Sequence, residues 1–554
     1  SLFAQVGVNG TNNDPDPSAM LDVQSTDKGL LLPRMTTSQR DAISNPAVGL
    51  TIYNVDQSCF NYYSGHEWVS DCGTGTPRSS LQGSQANMQS YSRGIAVDSD
   101  MNYYVIGDFE DQIIFGSDTL NSNGNDDIFL AKYDALGQVV WAVNAGGTAD
   151  EYGNQISIDG TGNVYIAGEA KSSSLSFGNL TISANTDDAF VAKYDPTGQV
   201  IWAKAFGDVG GSKALAEGLD IDASGNCYLS GNFIGTVSFG AYSLTASGSY
   251  DIFVAKLDPA GQVLWAKSAG GSGFDRCSAA KAGINGEIHL TGQFEGSATF
   301  GATTLTSNGG REVFVCKLSS TGQFLWASSG GGILDDAGGG IDTDPAGNIY
   351  VTGYFKGSAS FGSTTLNTNI EDLFLVKYNS GGQVIWAVNG SGSGAAYSYG
   401  INVDHNGNSF LTGTFSGSIF LGPDSLNSSN SSAFVAKFDS TGQALWAVQS
   451  SGTGKHHGFG IAVGPDDICY TTGVFSNGTF LAEDVTLTAG GYYQFYIWLV
   501  NGKNGGNTLG LGDQDQDPYN EIQTLSLSGN QLSITDGNSV DLSSIGWSLT
   551  GNAG

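Results

Sequence analysis

Phe190-Val191-Ala192-Lys193-Tyr194-Asp195-Pro196-Thr197-Gly198-Gln199-Val200-Ile201-Trp202 decides how this chain folds. Two short apolar segments flank Asp195-Pro196-Thr197-Gly198, a tetrad of turn-forming residues, and that arrangement marks a β-hairpin. The hairpin recurs. Trp141, Trp202, Trp265, Trp326, Trp386 and Trp446 follow one another at sixty to sixty-three residues. Upstream of them stand Phe129, Phe190, Phe253, Phe314, Phe374 and Phe434, each heading an apolar segment that ends in Lys. A seventh copy begins at Phe495-Tyr496-Ile497-Trp498. Self-similarity at a fixed period is the mark of a repeat architecture.

Further back in each copy lies a Gly-Asn-x-aromatic element, as in Gly162-Asn163-Val164-Tyr165 and Gly347-Asn348-Ile349-Tyr350. Each repeat therefore reads as four short strands, for which Gly94–Asp98, Tyr350–Phe355, Phe190–Tyr194 and Gln199–Trp202 are examples. One four-stranded sheet cannot bury both its faces, whereas sheets packed around an axis bury both and leave only short edges. Burying one Trp or Phe contributes roughly 4–6 kcal/mol before entropy costs, so aromatics at one position per repeat are core. The expected fold is all-β, a seven-bladed β-propeller of four-stranded blades with small β-rich segments at both ends; a β-helix or open solenoid is the alternative. The last copy lacks its own Gln-Val-x-Trp strand. Alignment of Ile95 with Ile461 puts residues near 79–84 in the vacant place, so they are expected to close the ring.

Charge narrows the function. Asp and Glu outnumber Lys and Arg 53 to 21, for a net charge of −32; that excludes nucleic acid, which needs clustered cations, and docking on anionic lipid. No apolar run is long enough for a membrane-spanning helix, so no membrane insertion is expected. The opening Ser1-Leu2-Phe3-Ala4-Gln5 has the small-residue pattern of a signal-peptide end, and the expected location is secreted, extracellular or on the cell surface. Cys59 and Cys72 bracket an aromatic segment and are the expected disulfide, Cys59–Cys72; Cys227 and Cys469 read as buried thiols, and Cys277 and Cys316 give no pairing signal.

With Tyr350-Val351-Thr352-Gly353-Tyr354-Phe355 and Phe190–Asp195 as signatures, the repeat resembles the secreted β-propeller repeats of Bacteroidota surface proteins over roughly residues 80–505. Residues 5–78, with Gly29-Leu30-Leu31-Leu32-Pro33-Arg34-Met35 and Gly49-Leu50-Thr51-Ile52-Tyr53-Asn54, resemble the N-terminal module of tail-fibre-like proteins. Residues 511–550 resemble the β-rich spacers of such fibres. The expected divisions are 1–10, an N-terminal strand; 11–78, a small fibre module; 79–505, the propeller; and 506–554, a linking meander. A helix is expected only near Ser38–Ser44. Leu2, Ala4, Val6 and Val8 alternate as a strand able to add to another subunit, or to fold back on its own module. Leu525, Leu527, Leu532 and Ile534 alternate likewise in the meander. Together these imply head-to-tail self-association or a larger surface assembly.

Chemistry is sparse. Of five histidines only His456-His457 are adjacent, in a Gly-rich stretch read as a solvated loop. Paired carboxylates such as Asp126-Asp127, Asp187-Asp188 and Glu371-Asp372 recur before the third strand and read as solvent-facing turn residues. Arg93, Arg276 and Arg311 fall at unlike repeat positions, too scattered to grip an anionic substrate. Asp513, Asp515 and Asp517 alternate as in a Ca²⁺ loop, though without its central Gly, and Ca²⁺ is the one candidate cofactor. The segments between each Trp strand and the next repeat vary most and belong on one face. They carry the candidate binding residues Tyr152, Asp275, Arg276, Asp335, Asp336, Tyr397, Tyr399, His456 and His457, with glycans as a candidate ligand. The sequence thus predicts a non-enzymatic structural subunit of an extracellular filament or fibre; the alternative is an adhesin or glycan-binding module of a phage-like tail fibre.

Overall fold

The computed structural model describes residues 89–501 except 186, 208–210, 466, 483–484 and 490–491. Outside that span it describes 6–9, 21–24, 33–43, 46, 50–54, 59–63, 68–71, 80–81, 525–528, 531–534 and 539–541. The chain divides into two compact bodies, Ser1–Pro77 and Arg78–Gly554.

In the first body, Val6–Asn9 pairs in parallel with Leu21–Gln24, Val6 opposite Leu21 and Val8 opposite Val23. The N-terminal strand thus folds back on its own module, the second of the two expectations for it. A four-stranded sheet follows in the order Arg34–Met35, Thr51–Asn54, Cys59–Tyr63, Trp68–Asp71. The expected helix spans Thr37–Asp41, opened by a capping box in which Thr36 and Gln39 each satisfy the other's backbone N–H. The Cys59–Cys72 disulfide lies outside the described residues, as do Leu2, Ala4 and the Asp513–Asp515–Asp517 candidate for Ca²⁺. Leu525–Ser528, Gln531–Ile534 and Ser539–Asp541 form the expected antiparallel meander.

The repeats are antiparallel four-stranded sheets. In one of them Ala337–Thr343, Ile349–Phe361, Thr364–Tyr378 and Val384–Asn389 pair in chain order. The second and third strands run well past the lengths expected from sequence. The Ser- and Thr-rich stretch after Phe355 alternates Ala359, Phe361 and Leu366 inward and forms a hairpin extension turned at Gly362. That extension reaches the preceding repeat, where Gly331 pairs with Ser360 and Gly332 with Ala359. The same strap recurs as Ala145 with Phe177, Gly270 with Thr299, Ser391 with Phe420 and Ser451 with Leu481.

The recurring tryptophan is a second strap. Trp202 Nε1 donates to the Pro259 carbonyl of the next repeat at 3.1 Å, and Gly261 of that turn lies against its ring. Trp141, Trp265, Trp326 and Trp386 donate in the same way to Pro196, Ser320, Ser380 and Ser440. The lysine of the third strand has an equally fixed place. Lys256 Nζ reaches Asp222 at 3.2 Å and lies 4.6 Å from the Tyr228 ring centroid, while the Tyr228 hydroxyl donates to the Gly286 carbonyl of the following repeat. Lys193 and Lys377 repeat this with Asp159 and Tyr165, and with Asp344 and Tyr350.

First strands pack side by side from repeat to repeat, and Lys455–Val463 packs on Ser90–Val97. Thr472 Oγ1 donates to Ser92 Oγ, and one apolar cluster joins Ile95, Val105 and Phe129 to Tyr470, Phe495 and Ile497. Ser80–Leu81 pairs with the last repeat, Leu81 opposite Ile497 and Ser80 opposite Trp498. That is the strand expected from residues near 79–84.

Candidate functional site

Every first strand carries a β-bulge at one register, between Ser92 and Gly94, Gly153 and Gln155, Ala216 and Gly218, and on to Gly458 and Gly460. A bulge turns one extra side chain out of the ladder. The bulged residues are Arg93, Asn154, Glu217, Ser278, Gly339, Tyr399 and Phe459 in chain order. Neighbouring backbone lines a cavity of about 130 Å³ to which all seven first strands contribute, with Arg93, Tyr399 and Phe459 among its walls. The backbone is the same each time. Only the side chains differ.

One arc of this mouth is charged. Arg93 pairs with the fully buried Asp108, and its guanidinium carbon is 5.5 Å from the ring centroids of both Tyr91 and Tyr152. Burial pushes the Asp108 carboxyl up to about 7 even though Arg93 pulls it down. Lys171 Nζ lies 4.6 Å from the Tyr152 centroid. Burial, with a hydrogen bond to Asp187, outweighs Lys171 and raises Glu169 to about 7. Arg276 Nη2 meets Glu217 Oε1 at 2.5 Å, and Glu217 also supports the Arg93 charge.

The other arc is aromatic. Tyr354 meets Tyr397 edge-on at 5.1 Å; Tyr397 and Tyr399 are parallel within 5° at 6.5 Å; Tyr399 and Phe459 are 5.7 Å apart; and His457 and Phe459 are parallel within 6° at 6.2 Å. Burial holds His457 below its usual pKa, so it is neutral at pH 7. Its Nδ1 lies 3.0 Å from Thr414 Oγ1.

The candidate residues divide. Tyr152, Arg276, Tyr397, Tyr399 and His457 stand at this mouth, on first strands and not in connecting loops. Asp335 is exposed and accepts from the Arg311 backbone. Asp275, Asp336 and His456 are turned inward and fully buried. Asp275 accepts from the Gly271 and Glu295 backbones, and Asp336 from Gly332 and Lys356, so both lock the connection between repeats. His456 belongs to a strand, with Nδ1 2.9 Å from Ser450 Oγ, which corrects its reading as a solvated loop. Sequence reasoning missed Arg93, Tyr91, Phe459 and Tyr354 as members.

The carboxylates before the third strand are also corrected. Asp127, Asp188 and Asp372 are buried, as are Asp251 and Glu312 at the same register. Asp127 accepts from Asn123 N, Asp251 from Ser247 N and Glu312 from Asn308 N, closing the tip of each repeat. Their far side faces glycine: a Cβ on Gly146 would fall 2.2 Å from Asp127 Oδ1. Burial raises Asp127 to about 7 and Asp372 to about 6. Glu371, by contrast, is a surface partner of Lys356 at 2.7 Å. Among the described residues no three His, Cys, Asp or Glu side chains converge as a metal site would require.

Residues 7–86 match a family described as a phage tail like trimerisation region. The chain is 25% identical over 446 residues to an uncharacterised WD repeat-containing protein of Acanthamoeba polyphaga mimivirus, covering 65% of this chain and 32% of that protein. It therefore spans about a third of the length of this curated relative. Among solved structures it is similar to the β-propeller domain of the trilobed protease from Pyrococcus furiosus, at 7% identity and TM-score 0.39, covering 74% of this chain and 93% of that one. It is also similar to a gluconolactonase from Xanthomonas campestris, at 12% identity and TM-score 0.30, covering 76% and 89%. The chain is all-β and propeller-like. The expectation of a non-enzymatic chain is corrected: structures it resembles include enzymes, among them that gluconolactonase, so this architecture does not exclude catalysis. Nor do likenesses of this degree assign an activity.

Proposed function

We propose that the chain is a self-associating structural module of a tail-fibre-like assembly, exported from the cell, in which an N-terminal region gathers three chains and each displays a seven-bladed propeller. The observation that carries this reading is the match of residues 7–86 to a trimerisation region, whose far end contains Ser80–Leu81, the strand paired with the last repeat. The end of the matched region is thus also a strand of the last repeat's sheet. Three-chain association takes the place of head-to-tail strand exchange, since Val6–Asn9 pairs with its own Leu21–Gln24. Seven blades are supported by seven first strands in lateral contact, the last on the first. The net charge of −32 suits a displayed extracellular surface.

Native mass spectrometry on residues 1–554 and on 78–554 tests the proposal. Three-chain particles are expected for the first and single chains for the second. Full-length chains that stay monomeric at micromolar concentration rule it out. An adhesin is the second reading, favoured by the aromatic and charged arcs that meet at one mouth.

A further inference from the structure

We infer that the mouth of the first strands is a carbohydrate-binding site for a neutral oligosaccharide, held on the faces of Tyr399 and Phe459. This deepens the adhesin reading and rests on the propeller being displayed.

The argument begins at the bulge register. A position repeated in every sheet for structural reasons should hold one residue type, as the Trp and Lys positions do. This one holds Arg, Asn, Glu, Ser, Gly, Tyr and Phe in turn. The bulge keeps the backbone constant while side chains vary freely, so the variation serves what lies above the strand and not the packing below. The two aromatic members are on adjacent strands, 5.7 Å apart, and each is extended by a parallel ring two residues earlier, Tyr397 or His457. The fifth repeat contributes Gly339, which has no side chain to cover the Tyr399 ring from that direction. Tyr399 stays 36% exposed although its ring carries little polarity beyond the hydroxyl.

Partly exposed rings, Tyr399 and Phe459 tilted 52° to one another, with polar groups at their rim fit a pyranose. Its C–H faces are apolar enough to pack on ring faces, while its hydroxyls need donors and acceptors at the edge. The rim supplies them in Glu217, Arg276 and Asn154. It also indicates the charge of the ligand. Arg93 is matched by Asp108, Arg276 by Glu217 and Lys356 by Glu371. These three cations are already paired with carboxylates, which makes them poor partners for a uronate or sialate carboxylate, and the net charge of −32 repels anions. A neutral sugar meets neither cost. Tyr399 and Phe459 also wall the cavity of about 130 Å³, whose lining is otherwise first-strand backbone with Ile95, Ile156, Leu219, Ile341 and Ile401.

The test uses the full chain. Saturation-transfer difference NMR and calorimetry are run with maltohexaose, cellohexaose, mannohexaose and a polygalacturonate hexamer. At least one neutral hexaose is expected to show transfer to its ring C–H protons, with Kd in the range of about 10 μM to 1 mM. Tyr399→Ala and Phe459→Ala should each weaken it tenfold or more, and Tyr399→Phe by less than threefold. Absence of transfer to every neutral sugar, preference for the polygalacturonate, or binding untouched by Tyr399→Ala overturns the inference. Should an alanine variant fail to fold, the transfer map on the unaltered chain still decides. Native mass spectra on the same samples separate the two failures: trimers that bind nothing sink the site alone, and monomers that bind sugar sink only the assembly.

Discussion

Thr472 Oγ1 donates to Ser92 Oγ at 2.8 Å across 380 residues of chain, and Thr472 also lies 2.7 Å from the Tyr496 carbonyl. Both groups are buried, so a hydroxyl that loses its partner there is desolvated without return. Thr472→Val should lower stability by about 1–3 kcal/mol. Amide exchange should rise first in Ser90–Val97 and Lys455–Val463, the two strands that meet. Uniform exchange across all repeats would show that this contact is no closure.

Gly261 has φ +77°, and a Cβ on it would fall 2.9 Å from the Trp202 ring. Gly261→Ala therefore meets both a left-handed backbone and an indole that is itself hydrogen-bonded and cannot retreat. The expected loss is about 1–3 kcal/mol in chemical unfolding. Ala260, at the neighbouring position, is exposed, so Ala260→Ser serves as the control and should be close to neutral.

How much of this could be read beforehand depends on whether a residue repeats. Trp202 and Lys193 recur at one register, and both prove structural. The hairpin extensions were not foreseen because Ser358, Ser360 and Thr365 carry loop chemistry on the outward side of a strand. With those extensions unseen, Asp127 and Asp372 looked like solvent-facing turns instead of buried caps. Arg93 and Phe459 escaped for the opposite reason. They share a position set by a bulge, and no two repeats place the same residue there, so sequence comparison within the chain has nothing to align.

Acid pH should stabilise the protein. Asp108 and Asp127 are raised to about 7, and Asp275, Asp336 and Asp372 to about 6, against about 3.9 in an unfolded chain. Between pH 4 and 7 the folded state therefore binds more protons than the unfolded one, and stability falls as pH rises through that window. Asp159 acts in the opposite sense. Burial raises it, but hydrogen bonds from Thr161 and Asn163 bring it down to about 2, so its contribution is lost below about pH 4. Thermal unfolding should show a higher midpoint at pH 5 than at pH 8. Asp127→Asn should flatten this slope and raise the midpoint at pH 8 by a few degrees, since among the described residues Asp127 Oδ1 has no hydrogen-bond partner. A midpoint that climbs from pH 5 to pH 8 contradicts the account.

Lys281 sits between two first strands, 3.5 Å from Asp220 and 3.1 Å from Asp342, and both carboxylates raise its pKa. Ser157 donates to Asp220, and Asn402 and the Val403 backbone donate to Asp342, so a belt of polar contacts links five adjacent repeats around one ammonium. Lys281→Met keeps the length of the side chain but leaves two carboxylates facing each other, one of them buried. Because Lys281 is about a third exposed, screening reduces the loss, and about 1–3 kcal/mol is expected at pH 7. The belt makes a sharper forecast than the magnitude. Adding Asp342→Asn to Lys281→Met removes one of the opposed charges while its amide can still accept from Val403, so the double variant should recover part of the stability lost by the single one. Equal stability of the single and double variants in urea titrations would mean that the charges in this belt do not act on one another.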